Sequence, residues 1–178
     1  QIRAIETADI AGLTTSQVLV LTTTQVMGLT TGQVAALTSA QVGQLSTSVF
    51  AQLSSAQLRA LGSSIIVGLA TDTIAAFTSR NIGGILPAQL AAFSSSQLQA
   101  IETGDVRGLT STQIAALTSE QVGFLTTHQL TQLSSGQIRA IETADIAGLT
   151  TSQVLVLTTT QVMGLTTGQV AALTSAQV

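Results

Sequence analysis

Bulky apolar residues recur along this chain at two fixed phases of an eight-residue period. Counting from Ile5 in steps of eight gives Leu13, Leu21, Leu29, Leu37, Leu45, Leu53, Leu61, Leu69, Phe77, Ile85, Phe93, Ile101 and Leu109, and the series runs on to Leu173 without a polar interruption. A second series five residues later, at Ile10, Val18, Val26, Val34, Val42, Phe50 and Leu58, holds to Val170 and Val178. Numbering the octad from the first apolar position gives [Leu/Ile/Phe]-[Thr/Ser]-[Thr/Ser]-x-Gln-[Val/Ile/Leu]-x-[Ala/Gly], with Leu29 to Ala36 as its plainest copy. Two large side chains per octad, kept in phase from end to end, make each octad one unit stacked on its neighbours.

The polar residues say which unit. A hydroxyl followed three places later by Gln is a capping box, in which the hydroxyl oxygen accepts from the N3 amide and the Gln side chain returns to the N-cap amide. Thr14 with Gln17, Thr22 with Gln25, Thr30 with Gln33, Thr110 with Gln113 and Thr126 with Gln129 all fit. With the cap at position two, positions one and six become N′ and N4, the partners of a hydrophobic staple. Pro87 falls at N1, where a missing amide costs nothing. The expectation is an all-α solenoid of very short capped helices, about five or six residues each, one per octad. Such helices fall far below the roughly 12 residues needed for marginal stability alone. Burying one Leu and one Val contributes on the order of 3 to 5 kcal/mol per octad, against about 1 to 2 kcal/mol per residue for ordering the backbone. Only a coil of many octads with a shared core can fold.

The alternative is a β-solenoid, which the Val, Ile and Thr content favours. Against it, positions one and six have opposite parity in a strand and would face opposite sides unless a corner separated them. At position two Glu6, Gly62, Ala70, Leu86, Glu102 and Glu142 replace the hydroxyl, and the cap is expected to move to Thr7, Thr103 and Thr143 in the acidic octads.

A longer period lies above the octad. Residues 1–42 recur letter for letter as 137–178, so a unit of 136 residues, seventeen octads, covers 1–136 and the next begins at 137. Within it, Ser54 to Leu58, Ser94 to Leu98 and Ser134 to Ile138 recur every 40 residues. The pattern reads as a continuous array over 1–178, a window of a longer natural protein. From Val49 to Asn81 the Gln position decays to Val49, Ile65, Thr73 and Asn81, which predicts weaker capping there.

Composition narrows the function. Only 7% of residues are charged against 45% hydrophobic, the net charge is −3, and the five cations are dispersed arginines. A nucleic-acid partner is not expected, because no basic stripe faces phosphates. Cysteine is absent, which removes disulfides and thiolate metal sites. No apolar run reaches 18 residues, so no transmembrane helix is expected in this window. Neither a nucleophile with its base nor a phosphate loop appears, and the chain is read as no enzyme, with no cofactor. His128, alone at the outward position four, lacks companions for zinc or haem. Paired acids at Glu6 and Asp9, Glu102 and Asp105, and Glu142 and Asp145 suit helix N-termini, with Arg3 and Arg139 placed for surface ion pairs. A calcium site would need six or more oxygens. Leu19, Val20, Met27, Val67 and Phe124 put bulk at positions seven and eight and are the candidate assembly contacts.

With copies such as Leu37 to Val42 and Leu117 to Val122 in view, the whole window resembles the Thr/Ser-Gln octapeptide arrays of very long proteobacterial surface proteins of adhesin type. That resemblance implies an extracellular or cell-surface, secreted and extended molecule, and carries over no ligand or catalytic residue. The expected role is structural: a filament, sheath or adhesin stalk, self-associating through repeated surfaces. The alternative is a binding module whose regular hydroxyls meet a polysaccharide, a cell surface or ice.

Overall fold

A computed structural model describes residues 2–177. It is all-helical and repetitive, and no strand occurs among the described residues. The α-helices, such as Thr31–Ala35, Ser55–Ala60 and Ser111–Ala115, are four to six residues long, and the octad supplies one after another. Their N-termini follow the capping-box logic. Thr30 sits in extended backbone (φ −72°, ψ 160°), accepts from the Gln33 amide, and has its own amide bound by the Gln33 side chain. The same reciprocal pair starts the helices after Thr14, Thr22, Thr38, Ser54, Ser94, Thr118 and Thr126. Pro87 occupies N1 of Pro87–Leu90.

Each helix stops because the next octad begins. Leu61, at position one, turns extended (φ −65°, ψ 136°) while its amide still bonds back to Leu58. The following position-two residue is extended as well, and two extended residues in succession turn the chain between helices. No residue with positive φ is present among those described. The helices therefore end without the left-handed glycine cap that commonly closes a helix.

The corners build a coil. Thr31–Ala35 packs against Thr7–Ile10 below and Ser55–Ala60 above, and Ser55–Ala60 in turn against Ile82–Gly84, so helix starts three octads apart come together. Polar contacts between turns join residues 25 to 31 apart, so a turn takes a little over three octads. Positions one and six fill one continuous core: Leu58, Ile66, Ile74, Leu90, Leu98, Val122 and Leu130 are wholly enclosed, with Leu53, Leu61, Phe77, Ile101 and Leu117 beside them. Phe50 and Phe77 lie with ring centroids 6.2 Å apart in successive turns. Val178, last of the position-six series, lies outside the described residues.

The acidic octads depart from expectation. Ile101 to Gly108 and Ile141 to Gly148 form a turn and a 3-10 segment, Val106–Gly108 and Ile146–Gly148, preceded by Asp105 and Asp145 rather than by a Thr103 or Thr143 cap. In the first octad the residue before Thr7–Ile10 is Glu6, and Thr7 lies inside the helix. From Ser46 to Asn81 side-chain capping fails at Ser46, Gly62, Ala70 and Asn81 and holds only at Ser54, where Gln57 is retained.

Candidate functional site

What repeats along the coil is a buried glutamine with two tasks. Its Oε1 closes the capping box of its own octad, and its Nε2 reaches the turn before. Gln33 Oε1 accepts from the Thr30 amide at 2.8 Å while Nε2 donates to the Ile5 and Ile2 carbonyls, 28 and 31 residues back, at 2.8 and 3.0 Å. Gln129 does the same with the Ile101 and Leu98 carbonyls at 2.7 and 2.9 Å, and Gln113 with those of Ile85 and Ile82 at 2.6 and 3.0 Å. Those carbonyls belong to position one and to the end of the preceding helix, where an intrahelical partner is missing. One amide side chain thus satisfies orphan groups at a helix start and at a helix end one turn away. No buried side-chain nitrogen or oxygen among the described residues lacks a partner.

Where position five is not Gln, a shorter device appears. Asn81 keeps both tasks, with Oδ1 accepting from the Thr78 amide at 2.8 Å and Nδ2 donating to the Phe50 and Leu53 carbonyls at 2.8 and 3.1 Å. Its side chain is one methylene shorter, so the backbone must come closer, and the segment tightens to the 3-10 turn Ile82–Gly84. Asp105 and Asp145 cannot donate and reverse the bond: Asp105 accepts from the Ser79 amide at 2.6 Å and Asp145 from the Ser119 hydroxyl at 2.5 Å. All three octads end in glycine. A Cβ on Gly84, Gly108 or Gly148 would run into the carbonyl of Ser55, Ser79 or Ser119 on the turn below. Glycine is required there for space, not for its φ range.

These joints reassign the acidic pairs. Asp105 and Asp145 tie turn to turn instead of decorating a helix start, and Arg3 donates from Nε to the Gly28 carbonyl at 2.8 Å instead of pairing with Glu6. Arg107 likewise donates to the Gly104 carbonyl and to Gln132 Oε1. No group of three or more His, Cys, Asp or Glu gathers among the described residues. His128 is exposed at position four, and its carbonyl accepts from the Thr131 hydroxyl.

Of the candidate contacts, Leu19, Val20 and Met27 are exposed on the coil's outside, at 62%, 74% and 48%, whereas Val67 and Phe124 are half-buried. Phe124 packs against the core. The largest surface depression, about 650 Å³, is open and lined by Leu53 to Ala56 and Thr78 to Arg80 between two turns. No helix is long and apolar enough to cross a membrane.

The inter-turn task of glutamine was not anticipated. One signal for the tight joints lay in the letters: each of the four octads with Asp or Asn at position five, at Asp9, Asn81, Asp105 and Asp145, closes on Gly, at Gly12, Gly84, Gly108 and Gly148.

An uninterrupted apolar seam, a capped turn per octad and a glutamine ladder between turns define an all-α octapeptide-repeat solenoid. The ALTTAQ repeat matches this chain over residues 2–39, 20–47, 98–135 and 138–175, more than half its length, and the chain belongs to that repeat family. No curated protein matches it.

Proposed function

We propose that this array is a structural element: a rod built into an extracellular filament, sheath or adhesin stalk. The observation carrying that reading is that every turn meets the next by the same carbonyl-to-glutamine bonds and the same two core positions. Such a design extends by adding octads and needs no further invention at any length. The low charge and the absence of any gathered set of reactive side chains among the described residues fit a molecule whose surface is its product.

The second reading, a hydroxyl array offered to polysaccharide or ice, draws on the exposed hydroxyls of position three, such as Thr15, Thr31 and Ser111. Many position-two hydroxyls are committed elsewhere: Thr22 Oγ1 accepts from the Gln25 amide and donates to Gln25 Oε1. Glycan binding and thermal hysteresis of the recombinant chain test this reading, and inert behaviour in both removes it. For the structural reading, filaments purified from the native source should contain this sequence by mass spectrometry. Recovery only as a dispersed cytosolic monomer refutes it.

A further inference from the structure

Resting on the structural reading, we infer that the 136-residue unit is a whole number of turns, and that it thereby lines up one apolar strip on one side of the rod for lateral pairing with a second copy of this chain. Turn-to-turn contacts span 25 to 31 residues, so 136 residues hold about five turns. The bulky residues outside the consensus respect that count. Leu19 to Val67, Val67 to Phe124 and Phe124 to Leu155 are steps of 48, 57 and 31 residues, which are about two, two and one turns. Met27, eight residues from Leu19, falls about a third of a turn away and is not part of the strip.

Exposure at the two ends of the strip is a property of the octad, not of missing neighbours. Leu19 has a turn after it and Leu155, its copy, a turn before it, yet they are 62% and 79% exposed. Leu19 and Val20 together make a patch too small for a stable interface by itself. Affinity must then come from several patches engaging together, and only a partner with the same spacing can meet them all. A second copy has that spacing by construction. With 7% charged residues, neither repulsion between copies nor attraction to a charged partner competes.

Sedimentation of the 178-residue chain over a concentration series tests this against two variants with unchanged far-ultraviolet circular dichroism. One is L19S/V20S/L155S/V156S. The other duplicates the octad of residues 109–116 in place, which removes nothing and turns the second patch about a third of a turn from the first. Concentration-dependent association of the native chain, weakened at least tenfold in both variants, is the expected result. Association that survives the duplication overturns the whole-turn alignment and leaves the structural reading standing. If it survives the serine variant, the pairing surface lies elsewhere. A native chain that stays monomeric throughout defeats both this inference and self-assembly.

Discussion

Residues 1–42 and 137–178 are the same sequence in two settings, one with a turn following it and the other with a turn preceding it. Val26 and Val34 are 1% exposed, while Val162 and Val170, their copies, are 50% and 51% exposed. The glutamines behave in the opposite sense: Gln17 and Gln25 are exposed, whereas Gln153 and Gln161 are 2% exposed. Position six is thus enclosed by the turn that follows and position five by the turn that precedes. The acidic octad makes the same point in its backbone, being α-helical at Thr7–Ile10 without a preceding turn and 3-10 at Ile146–Gly148 with one. The octad carries its own start signal, but its burial is supplied by its neighbours.

Matched substitutions in the two copies sharpen that contrast. The largest difference is expected for Gln161→Glu against Gln25→Glu. Gln161 donates to the Leu130 and Leu133 carbonyls at 2.8 and 2.7 Å, and a carboxylate there would face two oxygens inside the core. Unfolding in urea should show a loss of about 3 to 5 kcal/mol, whereas Glu at the exposed position 25 still accepts from the cap amide and should change little. Val26→Ala should cost about 1.5 to 3 kcal/mol, and Val162→Ala less than half of that, by the same measurement. Gly148→Ala forces a methyl group onto the Ser119 carbonyl and should cost about 1 to 3 kcal/mol. Gly12→Ala, whose nearest neighbour is the Asp9 carbonyl at 3.3 Å, should stay within a few tenths, roughly the range of a surface change. The smallest difference is expected at the caps. Thr30→Ala and Thr166→Ala should each remove about 0.5 to 2 kcal/mol of protection in local hydrogen exchange. The two should lose nearly the same amount, because the cap is made within the octad. Unequal losses there would mean that neighbouring turns also set the cap.

Much of this was legible from residues alone, and the reason is locality. Thr30, Gln33 and the Leu29 and Val34 pair lie within six residues, so their helix start and shared seam follow from spacing. What escaped was what joins residues 25 to 31 apart, because no short-range pattern fixes the number of octads in a turn. The Gln33 amide bonding to Ile5, and Gly148 seated on Ser119, depend on that number. Thr103 and Thr143 were misplaced as caps for the same reason: Asp105 and Asp145 engage the turn below, and the segment tightens around that bond. The pairing of Asp or Asn with Gly within one octad was readable, but its cause is an approach between turns.

The central claim is that position-five glutamines bond across turns. The most direct test is hydrogen exchange of their side-chain amide protons, followed by nuclear magnetic resonance. The account predicts slow exchange at Gln33, Gln113, Gln129, Gln153 and Gln161 and fast exchange at Gln17 and Gln25, although Gln17 and Gln153 share identical flanking sequence. Uniformly fast exchange at all of them, with the helices still formed, would contradict it.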